Sequence, residues 1–160
     1  MTDTESRTAT AELTVQQPAE RLYALISDVT LMGTWSPECM GCSWLGNGDG
    51  TLKGRRFRGR NRRGRLTWST TATVIEADEG RTFAFRVHLL GRPTATWTYE
   101  FLPLEDRPGA TVVRESWTDH RGPVSAFLWD LGVPDRRAHA QGQMEQTLRR
   151  LAVHVGDPAP

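Results

Sequence analysis

The sequence predicts an α+β fold: a seven-stranded antiparallel sheet wrapped around one long C-terminal helix, with two short helices after the first strand. Three observations predict it. Six strand-like segments follow one another between about residues 42 and 119, with only short turn-forming stretches between them. A strand followed by a helical stripe precedes them, and the hydrophobic period changes from two to about 3.6 after Pro134.

Thr10–Gln16 alternates Ala11, Leu13 and Val15 with polar residues, the pattern of a half-buried strand. Pro18 then opens a helix, where its missing N–H costs nothing, and Leu22, Leu25, Ile26 and Val29 form one apolar stripe. Thr30–Trp35 reads as a second short helix stopped by Pro37. Strands are expected near Cys42–Leu45, Gly54–Gly59, Leu66–Ala77, Thr82–His88, Thr94–Pro103 and Ala110–Asp119. Their separators, including Asn61–Gly64 and Gly91–Pro93, hold the Gly, Pro, Asn and Asp that tight turns demand, which implies an antiparallel meander. Ala140, Met144, Leu148, Leu151 and Val155 recur at helical spacing, from a start at Pro134 and Asp135 to a stop at Gly156 and Pro158. That helix, roughly 30 Å long, would cross a small sheet end to end. The domain is expected over residues 9–156, with loose tails at 1–8 and 157–160.

Composition narrows the function. The chain has 160 residues, six tryptophans and a formal charge of +1, from 20 basic and 19 acidic residues. A folded globule follows, while near-neutrality argues against a nucleic-acid partner. No apolar run approaches a membrane span and the polar N-terminus lacks a signal-peptide core, so a cytoplasmic location is expected. The charge is uneven, however: Lys53–Arg65 packs eight basic residues into thirteen positions without an acid.

The order of elements resembles the START-like superfamily of helix-grip proteins, and within it the SRPBCC polyketide cyclase/dehydrase and lipid-transport branch. The residues that carry the resemblance are the helix 18–28, Trp35–Cys39, Gly54–Gly64, Trp68, Gly80–Arg86, Trp97–Phe101, Thr111–Trp117 and Thr147–Leu151. The resemblance covers about residues 9–155. It implies a cavity between sheet and final helix that takes hydrophobic or amphipathic small molecules. It does not by itself assign an activity, because one fold hosts many functions.

Strand parity supplies candidates for that cavity. Leu66, Trp68, Thr70, Ala72 and Val74 share a face, as do Phe83, Phe85 and Val87, then Ala95, Trp97, Tyr99 and Phe101, and then Thr111, Val113, Glu115, Trp117 and Asp119. These faces are assigned to the concave side. The candidate ligand-binding residues are Trp35, Trp68, Trp97, Tyr99, Glu115, Trp117, Phe127, Trp129, Met144 and Leu148. The alternative is that the aromatics are simply core. Glu115 is the sharpest candidate, since a carboxylate among apolar neighbours must be paired, hydrogen-bonded or shifted in pKa. It would anchor a ligand hydroxyl or, with Tyr99, act as a catalytic base in a cyclase. Its alternatives are a salt bridge or a register that turns it outward.

In a helix-grip fold the turn between the third and fourth strands lies near one end of the cavity. Arg60, Arg62, Arg63 and Arg65 are then expected to form a cationic rim for an acidic head group, or else a solvated hairpin tip. His139 is placed near the pocket mouth. Cys39 and Cys42 match CxxC, yet no second pair or suitable histidines follow, so no metal and no cofactor are expected. Non-catalytic binding of a lipid or polyketide is the leading expectation, and a polyketide cyclase or aromatase is the alternative. Binding of nucleic acid or a partner protein through residues 53–65 comes third. A homodimer is left open.

Overall fold

The computed structural model describes residues 7–122 and 135–157. Seven strands form one antiparallel sheet in the order β1-β7-β6-β5-β4-β3-β2. They are β1 Thr8–Val15, β2 Cys39–Leu45, β3 Arg56–Arg63, β4 Leu66–Asp78, β5 Thr82–Leu89, β6 Arg92–Pro103 and β7 Thr111–Asp119. Between β1 and β2 lie α1 (Ala19–Ser27), a 3-10 turn at Val29–Leu31 and α2 (Met32–Trp35). This crossover carries the chain from one edge of the sheet to the other. The C-terminal helix α3 (Arg136–His154) is capped by Asp135, whose Oδ1 accepts from the Ala138 N–H at 2.9 Å.

The expected seven-stranded antiparallel architecture is therefore present. The sheet curves around α3, whose buried stripe is Ala140, Met144, Thr147, Leu148, Leu151 and Ala152. The inward faces derived from strand parity pair as one continuous surface: Phe83 opposite Tyr99, Phe85 opposite Trp97, Trp97 opposite Trp117, Tyr99 opposite Glu115 and Phe101 opposite Val113. Single-residue irregularities in the β2–β3, β4–β5 and β5–β6 ladders bend the sheet, as bulges do.

Three boundaries differ from expectation, each for a local reason. The sequence Asn61–Gly64 looks like a turn, but β3 continues through Arg63, which pairs with Leu66. The turn is only Gly64–Arg65, with Gly64 at φ 59, the left-handed backbone that a two-residue hairpin requires. The turn expected over Gly91–Pro93 is instead Leu90–Gly91, and Arg92 and Pro93 belong to β6. Finally, β2 begins at Cys39, so the cysteine pair lies within a strand and not ahead of it. The expected start at Pro134, the stop at Pro158 and the loop residues Phe127 and Trp129 fall outside the described residues.

Candidate functional site

The two ends of the concave surface differ. At one end α1 and the C-terminal half of α3 pack directly on the sheet. Tyr23 meets Phe83 and Phe101 edge-on, at ring-centroid distances of 6.4 and 5.8 Å. Trp35, Met144 and Leu148 are also fully packed, Trp35 against the His154 ring at 5.6 Å. These three expected ligand contacts lie in the closed core and do not line the cavity.

At the other end a cavity of about 390 Å³ separates the sheet from the N-terminal half of α3. That volume falls within the roughly 300–1,000 Å³ range of small-molecule pockets. Trp68, Trp97, Tyr99, Glu115 and Trp117 line it from the strands, joined by Phe85, which strand parity also placed on the concave side, and by Phe57, which sequence reasoning had not singled out. From α3 come Arg136, His139, Ala140 and Gln143 of its N-terminal half, and Thr147 just beyond its midpoint. His139 stands at the cavity with its Nε2 at 2.9 Å from Glu38 Oε1.

Arg63 of the expected rim lines the cavity. Arg60, Arg62 and Arg65 do not. Alternation along β3 explains the division: Phe57, Gly59, Asn61 and Arg63 face inward, while Arg56, Arg58, Arg60 and Arg62 project from the opposite face into solvent. Arg65 sits in the turn. The remaining cationic lining comes from Arg92, Arg121 and Arg136, which sequence reading did not find. Arg121 holds Asp119 in a two-pronged ion pair, Nε to Oδ1 at 2.9 Å and Nη2 to Oδ2 at 2.6 Å. Burial pushes the Asp119 carboxyl up, but the hydrogen bonds and charge of Arg121 outweigh it and hold the group below its ordinary value.

Glu115 is the chemically unusual member of the wall. It is 2% exposed, and Tyr99 Oη donates to its Oε1 at 2.6 Å. Its Oε2 is buried without a hydrogen-bond partner among the described residues. Burial raises its pKa to about 8, and the Tyr99 hydrogen bond only partly opposes the rise. The carboxyl is therefore predominantly protonated at neutral pH. Tyr99 is itself raised well above its ordinary value, first by burial and then by the adjacent Glu115. The pair offers one O–H to the cavity, in surroundings where an unmade hydrogen bond is costly.

Two thiols complete the wall. Cys39 and Cys42 both line the cavity, with their sulfurs 3.5 Å apart. The hydrogen bond between them lowers the Cys39 pKa against the rise from burial, and the same contact, together with burial, raises that of Cys42.

The sequence profile of the polyketide cyclase / dehydrase and lipid transport family matches residues 6–156. The chain belongs to this family. A START superfamily protein from Mycobacterium smegmatis superposes with a TM-score of 0.74 at 15% identity, over 94% of this chain and 97% of that one. A polyketide-cyclase-like protein from Corynebacterium glutamicum is 32% identical over 94% of this chain and 84% of its own, with a TM-score of 0.51. A di-domain ARO/CYC from the BE-7585A biosynthetic pathway gives a TM-score of 0.61 at 16% identity, over 89% of this chain and 46% of that one. No curated protein matches the chain at a significant level. No helix among the described residues is long and apolar enough to cross a membrane.

Proposed function

We propose that the protein binds a hydrophobic or amphipathic small molecule between the sheet and the N-terminal half of α3. A ligand carbonyl or ether oxygen accepts a hydrogen bond from protonated Glu115. The observation that carries this reading is the buried Glu115 Oε2, without a hydrogen-bond partner among the described residues, beside Trp97, Tyr99 and Trp117 in the cavity wall. A folded chain tolerates such a group poorly unless something that enters the cavity completes it. Arg63 and Arg92 at the lining suit an acidic head group, since guanidinium holds a carboxylate by paired hydrogen bonds.

Displacement of a fluorescent fatty-acid probe, together with native mass spectrometry of the purified protein, tests the proposal. Bound probe, displaced by carbonyl-bearing apolar compounds, is the expected result. Glu115→Leu should weaken those compounds by about tenfold or more, the equivalent of one lost buried hydrogen bond of ~1.4 kcal/mol. Absence of any probe binding, or equal affinities in the two proteins, would overturn the reading.

A cyclase activity is the second reading, supported by the same dyad. With a pKa near 8, Glu115 is suited to protonate a polyketide carbonyl as a general acid, and less suited to the base role that its position in sequence suggested. Turnover of a poly-β-keto substrate that vanishes in Glu115→Gln while affinity persists would favour catalysis over binding alone.

A further inference from the structure

We propose that Met32 Sδ, Cys39 Sγ and Cys42 Sγ form a site for a soft, thiophilic d10 cation of the Cu(I) type in the cavity wall. The argument begins with strand parity. Residues three apart on a regular strand point to opposite faces, so Cys39 and Cys42 should be separated by the sheet. They are not, because the β2–β3 register shifts between them: Cys39 pairs with Asn61, but Gly41 pairs with Arg60. Met40 is the extra residue of a bulge, and a bulge re-aims the side chains on one side of it. Cys42 then pairs with Gly59, and both thiols face inward with Asn61 and Gly59.

The third sulfur comes from a different element. Met32, the first residue of α2, also lines the cavity and brings its Sδ to 3.8 Å from Cys42 Sγ, while the two thiols stand 3.5 Å apart. Sulfurs each about 2.3 Å from one ion, at tetrahedral or trigonal angles, stand roughly 3.8–4.0 Å from each other. The two spacings that Cys42 makes, to Cys39 and to Met32, are within a few tenths of an ångström of that, and all three residues line one cavity through which an ion can arrive.

The donor set selects the cation. Two thiolates and a thioether are soft ligands, suited to Cu(I) and poorly suited to hard cations. A structural zinc site would need further His, Cys or carboxylate donors, and no group of three such residues stands at metal-binding spacing among the described residues. On binding, each thiol sulfur gives its proton to solvent and its lone pair to the ion, with no change of oxidation state. The resulting site carries one net negative charge, beside a Cys42 that is only half-buried.

The test is anaerobic titration of the full chain, kept reduced, with Cu(I) against a competing Cu(I) chelator. A single Cu(I) is expected to bind, with a thiolate-to-copper charge-transfer band and an all-sulfur first shell in X-ray absorption. Cys42→Ser should cost roughly 100-fold in affinity or more, and Met32→Leu about tenfold, at or beyond the scale on which even outer-shell changes act. Cys42 is the safer thiol to change because Cys39 is more deeply buried, so its variant decides the question even if Cys39→Ser fails to fold. Unchanged affinity in Cys42→Ser, nitrogen or oxygen atoms filling the first shell, or displacement of Cu(I) by equimolar Zn(II) would each overturn the site. Unchanged affinity in Met32→Leu would overturn the three-sulfur assignment.

Discussion

The closed and open ends of the concave surface are built from the same strands with the same alternation, yet one is solid and the other holds about 390 Å³ of space. The sheet does not make the difference. Its inward residues are aromatic at both ends: Phe83 and Phe101 at one, Trp68, Trp97 and Trp117 at the other. The helix does. Along one buried stripe α3 presents Met144, Leu148 and Leu151 to the closed end, but Ala140, with His139, Gln143 and Arg136 around it, to the open one. A short side chain and polar neighbours leave the aromatic wall uncovered.

The largest effect that separates the two ends should come from removing an aromatic at each. Phe83 is 0% exposed and enclosed by Tyr23 and Phe85. Phe83→Ala is expected to cost about 3–5 kcal/mol in denaturant unfolding, the range for a buried ring whose surroundings cannot collapse. Trp68→Ala, at a half-buried residue that already borders empty space, should cost less than about 1.5 kcal/mol. Equal losses would mean that the open end is as tightly packed as the closed one.

Adding volume to α3 sharpens the same contrast. Ala152 and Ala140 are both buried, the first in the closed core and the second at the cavity. Ala152→Phe should destabilise by about 1–3 kcal/mol through overpacking. Ala140→Phe should leave the unfolding midpoint nearly unchanged, because its ring has room, while lowering probe affinity by about tenfold or more, ~1.4 kcal/mol, through the space it takes. A destabilised Ala140→Phe with undiminished affinity would place the ligand elsewhere.

These contrasts also separate what the sequence discloses from what it hides. Strand parity places Trp97, Glu115 and Trp117 on one inner face, because two-residue periodicity survives in the regular ladder between β6 and β7. It fails in β2, where the bulge at Met40 changes which residues face inward and leaves no signature in residue type. It also misleads at Asn61–Arg63, where turn-like composition is overridden by pairing with Leu66–Trp68. Arg121 and Arg136 come to the cavity through tertiary packing alone. Trp35, Met144 and Leu148 have the same apolar character as the wall residues, and only the way α2 and α3 pack decides that they belong to the closed core.

Glu115 lies among the wall residues of the open end, and its titration reads how dry that end is. Its ordinary pKa of 4.5 rises to about 8 in the folded chain. The folded state thus binds the proton more tightly, and this stability is fully present below pH 4.5 and lost as pH climbs through 8. Relative to Glu115→Gln, the natural protein should lose at least ~1.4 kcal/mol between pH 5 and pH 8, as followed by urea midpoints. A parallel pH dependence in the two proteins would show that the carboxyl is hydrated, and that the open end is wet.

The smallest effect concerns the turns. At the closed end, the turns after β4 and β6 use glycines where the backbone is left-handed, Gly80 at φ 70 and Gly109 at φ 78. At the open end, the turn after β5 places Leu90 at φ 51, the one non-glycine residue with positive φ among the described residues. A branched apolar side chain in this region is strained by about 1 kcal/mol, and Leu90 is also 92% exposed. Yet it borders the cavity lining together with Leu66 and Leu89. Leu90→Asn keeps a two-residue turn with a side chain that tolerates this backbone, so it should raise Tm by about 2–4 °C. It should also weaken an apolar probe a few-fold by removing part of the mouth. A gain in Tm with no loss of affinity would show that Leu90 lies outside the path of the ligand and that the mouth is formed by Leu66 and Leu89 alone.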